Sequence, residues 1–207
     1  MSAGPTAILL AAGAGARFGG NKLMAPLPAA VHGAPAGTPV GVASCLHLLA
    51  SIPRVVAVVR PGDRALASAL RDVGALVIEC DRAHEGMGAS LACGVASDDG
   101  ADGWIVALGD MPAVAPATIA QVASAFRARG GVVVPTYDGR DGHPVAFASS
   151  FRAGLVALYG DRGARRVIDA AGAAVHRIEV DDPGVLHDVD RREDLARTAP
   201  GGAVRDH

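Results

Sequence analysis

Thr6–Lys22 reads TAILLAAGAGARFGGNK, and the fold is decided by how this stretch changes character at Ala12. Its first half is an unbroken apolar run, the pattern of a strand buried on both faces of a parallel sheet. Its second half holds Gly13, Gly15, Gly19 and Gly20 with two cations, Arg17 and Lys22. A buried strand that breaks into glycines lets an anion reach bare backbone, whose N–H groups converge on phosphate oxygens. Two familiar forms of this corner do not fit. The dinucleotide fingerprint G-x-G-x-x-G is met by Gly13 and Gly15, but Phe18 takes the third place and no acid for a ribose occurs before Asp63. The P-loop spacing is met by Gly15 and Gly20, but Asn21 follows, the lysine comes one place late, and Leu23 stands where a magnesium-binding hydroxyl is needed.

Outward from this corner the chain alternates strand and helix signals. Thr38 and Pro39 read as N-cap and first position of a helix to about Ser51. Arg54–Arg60 is a second apolar run, and Pro61 opens a helix that Gly74 ends. Ala75–Cys80 is a third strand, with a helix from about Ala89. Trp104–Leu108 is a fourth strand, and Pro116–Arg129 is an amphipathic helix. Val132–Val134, His143–Ala148 and Val175–Val180 read as further strands. Ser149–Tyr159, Ala164–Ala171 and Asp190–Thr198 read as helical. Pro28–Gly37 reads as a surface loop. This alternation predicts a three-layer α/β/α sandwich with a mostly parallel sheet, as one domain over residues 1–198 and a flexible tail over 199–207. Ligands of such sheets bind at the strand carboxyl ends. The chemistry is therefore expected in the loops after the first, third and fourth strands: the glycine loop, Glu85–Ser90 (EGMGAS) and Gly109–Pro112 (GDMP).

Composition narrows the function class. The chain has 207 residues, half of them hydrophobic but only 3% aromatic, so a core must be built from aliphatic side chains. Mean hydropathy is +0.31, yet no apolar run approaches the about 18–20 uncharged residues of a membrane span. A net charge of −2 argues against a nucleic-acid or membrane-surface binder. The charge is uneven: Met1–Gly62 contains no Asp or Glu but has Arg17, Lys22, Arg54 and Arg60, which favours an anion there over a metal. Lys22 is the single lysine in a chain otherwise reliant on arginine, and a compact ammonium differs from a guanidinium beside phosphate oxygens. Cys45, Cys80 and Cys93 lie far apart with no CxxC spacing, so they read as small buried hydrophobes in a reducing, cytoplasmic setting. No secretory leader pattern opens the chain. His32, His47, His84, His176, His187 and His207 show no metal-ligand spacing.

The residues Leu10–Leu27, with L-A-A-G-x-G-x-R-F-G-x-x-K at their core, resemble the signature of the MobA-like nucleotidyltransferases. Within that family the LAAG opening is most similar to the molybdenum cofactor cytidylyltransferases, and the GGxS-like turn of the guanylyl type is absent. The resemblance spans about residues 6–196. It implies a Rossmann-like, GT-A-like fold and a loop wrapped around CTP. Leu10, Ala11, Ala12, Gly13 and Gly15 would lie against the nucleotide, and Arg17 and Lys22 against its phosphates. Leu108–Pro112 (LGDMP) is similar to the family's (A/G)DMP motif, which implies Asp110 as a ligand of Mg²⁺ or Mn²⁺. His187–Leu195 (HDVDRREDL) resembles D-I-D-T-P-x-D-L, which implies Asp190 as second ligand with Asp188 nearby. Arg191 and Arg192 replace the Thr-Pro of that pattern, and Asp190 reads equally as a helix cap. Gly86–Val95 (GMGASLACGV) matches GMGxSLxxGV and implies Gly88 and Ser90 at base and ribose. Gly139–Phe147 (GRDGHPVAF) and Gly160–Ile168 (GDRGARRVI) resemble segments over the acceptor, implying Arg140, His143, Asp161 and Arg165. His143 reads equally as a packing residue, and Arg165 as part of a solvated face. The implied reaction moves CMP from CTP to the terminal phosphate of molybdopterin-type cofactor and releases pyrophosphate, with a molybdoenzyme or its chaperone as partner. The same scaffold working with GTP or another phospho-acceptor, and a non-catalytic carrier of the cofactor, are the rival readings.

Overall fold

The computed structural model describes residues 4–13 and 15–198, so the expected tail over 199–207 lies outside the described residues. β1 (Thr6–Leu10) forms because an apolar run with alternating faces can bury both. It is flanked by β2 (Val55–Val59) and β4 (Gly103–Leu108), both parallel to it, and β3 (Leu76–Glu79) extends the parallel half beyond β2. The other half is mixed. β7 (Val145–Ala148) runs antiparallel to β4 and to β5 (Val132–Tyr137), β6 (Arg140–Asp141) closes a hairpin on β5, and β8 (Val175–Glu179) runs parallel to β5. The order is β3-β2-β1-β4-β7-β5-β6, with β8 off this path.

Helices cover both faces. α1 (Val40–Leu49), α2 (Arg64–Asp72) and α4 (Pro116–Arg129) pack over a core that includes Leu9, Ala57, Leu48, Leu66 and Phe126. α3 (Met87–Ala96), α5 (Arg152–Val156) and α6 (Arg165–Ala171) cover the opposite face through Ile8, Val58, Leu91, Trp104 and Leu155. Ile8 points one way and Leu9 the other, so the period-two strand supplies both cores and the sandwich has three layers. α3 lies unusually close to the sheet. A Cβ on its Gly94 would come within 2.6 Å of Ile8 Cγ2 and 3.0 Å of Val58 Cγ2.

Several sequence expectations are adjusted. Pro39, not Thr38, occupies the N-cap of α1, and the Val40 amide donates to Ala25 O. α2 starts at Arg64 because the Asp63 side chain accepts from the Leu66 amide. The helix expected over Ser149–Tyr159 is a 3-10 turn, Ser149–Phe151, followed by the five-residue α5. The terminal segment is a 3-10 helix, Arg192–Thr198. The loop over 28–37 is anchored, not free: Val31 and Ala34 are buried and bridged, and His47 on α1 bonds Val31 O through Nε2. Cys80 and Cys93 are joined in a disulfide that ties the end of β3 to α3. Of the three cysteines, only Cys45 is the free, buried thiol that spacing suggested, and burial pushes its pKa up to about 12.

Candidate active site

The carboxyl ends of β1 and β4 lie side by side, with Leu10 paired to Leu108 and the Gly109 amide donating to Leu10 O. The glycine loop and the GDMP turn therefore leave the sheet next to each other. Gly15 makes the loop's bend possible. Its φ is +61°, and a Cβ there would stand 2.7 Å from Gly20 O and 3.3 Å from Lys22 Cγ. Phe18 is buried and pins the loop to the body, and Lys22 begins the short turn Lys22–Met24. On the GDMP side, Ser44 Oγ of α1 donates to Gly109 O at 3.0 Å.

The carboxy-terminal segment returns to this corner. The Val189 amide donates to Asp110 O at 2.8 Å, which fixes Asp188–Asp190 beside the GDMP turn. Asp190 does not cap the final helix. Asp194 accepts from the amides of Asp190 and Arg191, at 3.1 and 2.7 Å, and leaves the Asp190 carboxylate directed inward. Arg192 lies 5.0 Å over the Phe18 ring and clasps the segment to the glycine loop.

The cations and acids meet here. Lys22 Nζ donates to Asp110 Oδ2 at 2.6 Å and to Asp190 Oδ1 at 3.2 Å, and Arg17 Nη1 donates to Asp190 Oδ2 at 2.5 Å. Burial works against the Lys22 ammonium, but Asp110 and Asp190 outweigh it and hold its pKa above the ordinary lysine value. Among the described residues, Asp110, Asp188 and Asp190 each offer a carboxylate oxygen, and these oxygens all lie within 4.8 Å of one another. Burial, then the charges of Asp190 and Asp110, push Asp188 above the usual carboxylate range, and the nearby Lys22 ammonium only partly offsets this. Hard oxygens at this spacing suit a small divalent ion, which binds at about 2.1 Å and completes its shell with phosphate and water.

A cavity of about 670 Å³ opens beside this cluster. Leu10, Ala12, Gly13, Lys22, Ser90, Asp110 and Asp161 of the expected residues line it. Ala11 is buried behind them, its amide donating to Val58 O. Gly88 is buried at the start of α3, where a Cβ would come within 2.9 Å of Gly160 O and 3.0 Å of Tyr159 O. The Ser90 hydroxyl donates to Gly86 O at 3.3 Å. Arg60, Asp81 and His84 also line this cavity and were not singled out from sequence. Arg60 and Asp81 follow the carboxyl ends of β2 and β3, so the strand-end rule could have found them.

A second cavity of about 200 Å³ shares Leu10, Leu108 and Asp161 with the first and lies over the mixed half of the sheet. His143 and Arg165 border it, and its floor is apolar, with Val106, Val134 and Phe147. The His143 amide donates to Val185 O at 3.0 Å, and burial keeps its ring below the ordinary histidine pKa. Arg140 is not brought here. It is exposed on β6, opposite Tyr137, and its neighbour Asp141 borders the cavity instead, held by Arg177 at 2.7 Å.

Comparison with known proteins agrees with this layout. The family profile of the MobA-like NTP transferase domain matches residues 7–176. The purine catabolism protein PucB of Bacillus subtilis is 31% identical over 93% of this chain and 95% of its own length. The crystal structure of Rv0371c from Mycobacterium tuberculosis is 27% identical and superposes with a TM-score of 0.78 over 96% of this chain and 98% of that one. A structure of Rv0371c in complex with manganese is 25% identical, with a TM-score of 0.75 over the same shares of the two chains.

Proposed function

From the premise that the chain belongs to the MobA-like NTP transferase family, we propose that it transfers CMP from CTP to the terminal phosphate of a molybdopterin-type cofactor, with release of pyrophosphate. The observation that carries this reading is the meeting of Lys22 and Arg17 with Asp110, Asp188 and Asp190 at the mouth of a glycine-floored cavity large enough for a nucleoside triphosphate. The cytidine preference rests on the LAAG opening, and the acceptor on the GHPV and GDRGAR segments, whose His143, Asp161 and Arg165 border the second cavity. A cytoplasmic setting, and delivery of the product to a molybdoenzyme or its chaperone, belong to the same proposal.

The acceptor phosphate is already an anion, so the protein needs no strong general base. Its work is alignment and charge neutralisation. Lys22 and Arg17 neutralise triphosphate oxygens, and the amides of the glycine loop hold the phosphate chain. Asp110, with Asp188 and Asp190, would hold a divalent ion, which when bound supplies positive charge to the reacting phosphate and the leaving pyrophosphate. The apolar floor of the second cavity gives the acceptor ring system a surface to pack on, next to the site of the α-phosphorus.

The test is pyrophosphate release with each of the four common nucleoside triphosphates, with and without molybdopterin-type cofactor, in Mg²⁺ or Mn²⁺. Release with CTP that depends on the acceptor is expected. Preference for GTP would move the chain to the guanylyl reading, and no release with any nucleotide would favour a non-catalytic carrier.

A further inference from the structure

The cations at the acidic cluster belong to the protein itself, and Lys22 is the one that bridges two of the acids. Lys22 Nζ sits 2.6 Å from one oxygen of Asp110 and 3.2 Å from one of Asp190, the space a divalent ion needs if it is to reach both carboxylates. The Lys22 side chain is only 10% exposed, so this ion pair is poorly screened, whereas the Arg17 side chain is 75% exposed and contributes much less. Lys22 also lines the 670 Å³ cavity, together with Asp110, so a ligand in that cavity can reach its side chain. Nothing but an anion in that cavity would repay the loss of two carboxylate partners.

We propose that Lys22 is a resident counter-ion that competes with the divalent metal for Asp110 and Asp190, so that the metal enters together with the nucleotide. The inference rests on the reading of these acids as a metal site. Without nucleotide, the ammonium occupies the cluster and metal affinity is low. A triphosphate in the cavity offers Lys22 other oxygens, draws it off the acids, and brings further ligands for the metal. Metal and nucleotide are then positively coupled, and the coupling is reciprocal. The arrangement also gives Asp110 and Asp190 a positive partner in the resting protein.

The experiment is a titration of Mn²⁺ alone, following the free ion by electron paramagnetic resonance, against the wild-type chain, Lys22→Met, and Lys22→Met combined with Asp110→Asn, each repeated with CTP present. Without nucleotide, Lys22→Met should bind Mn²⁺ about tenfold or more tightly than wild type, and the gain in Mn²⁺ affinity that CTP brings should shrink by a similar factor. In parallel, Mn²⁺ alone should raise the melting temperature of Lys22→Met and leave wild type nearly unmoved. Unchanged or weaker Mn²⁺ binding in Lys22→Met, with the double variant losing that binding, overturns the competition while leaving the metal site in place. Mn²⁺ binding that survives Asp110→Asn overturns the metal-site reading and the inference with it.

Discussion

At the residue scale, the tasks proposed for the acids and for the lone lysine can be measured separately. Asp110→Asn keeps the shape of the side chain and its neighbours but removes a charged ligand. Turnover should fall by about 10²–10³, while the circular dichroism spectrum stays that of wild type. Activity within a few-fold of wild type would remove Asp110 from the chemistry. His47 predicts a pH effect of a different kind. Burial, with His32 close by, holds it below the ordinary histidine pKa although its Nε2 bonds Val31 O. The unfolded chain therefore binds more protons than the folded one once pH drops below about 6.5. Stability is full above that pH and is lost as pH falls from there towards the depressed folded value. The melting temperature should decline over that window, and less steeply in His47→Gln. His143, shifted in the same direction, keeps the slope from vanishing. Spacing and chemistry in the sequence pointed to Lys22 and Asp110, and the structure brings these two 2.6 Å apart. The place of Arg140 was not legible, because a short edge hairpin turns it to solvent and only the pairing register of β6 decides that.

At the element scale, α3 is the part most tightly constrained by the site. Its approach to the turn Gly160–Arg162 leaves no room for side chains: a Cβ at Gly86, where φ is +125°, would stand 2.6 Å from Gly160 C and 2.7 Å from Gly160 O. Gly86→Ala should therefore destabilise the protein by about 1–3 kcal/mol and raise the KM for both nucleotide and acceptor, because this contact joins the two cavities at Asp161. A variant with wild-type melting temperature and KM would show that the contact can open freely. The strands around β1 were readable because each is a buried run bounded by turn residues, and α4 was readable to its ends because Pro116 opens it and Gly130 closes it. The helix ends of α1 and α2 were misplaced by one to three residues. There the deciding factor is a tertiary or side-chain bond, Val40 to Ala25 in one case and Asp63 to Leu66 in the other. The segment after β7 carries helical composition but buries only Leu155 within α5, too little to sustain a longer helix.

At the scale of the whole molecule, the sheet changes from parallel to antiparallel at β4–β7; the second cavity lies over that junction, the first reaches the ends of β1 and β4, and Asp110 follows β4. The three-layer arrangement was legible from strand–helix alternation. The Cys80–Cys93 bond was not, since no spacing rule brings together two cysteines 13 residues apart. Their meeting depends on α3 passing back over β1 and β2, beside the turn that follows β3. It stands apart from the reducing setting that the cysteine count suggested. Closing a loop of this length should contribute about 3 kcal/mol. Cys93→Ser, or wild type in dithiothreitol, should thus melt several degrees lower, and a wild-type melting temperature indifferent to reductant would show the bond to be unimportant for stability. In the proposed reaction, the amide-rich loop and the two cations facing a set of acids serve to break one bond in particular, that between the α-phosphorus of the nucleotide and the oxygen bridging it to the β-phosphate. Label position tests this most directly. With Mg²⁺ and molybdopterin-type cofactor, α-³²P-CTP should pass its label to the acceptor, and γ-³²P-CTP should give labelled pyrophosphate. Label from the γ position on the acceptor, or release of inorganic phosphate without transfer of the α label, would contradict it.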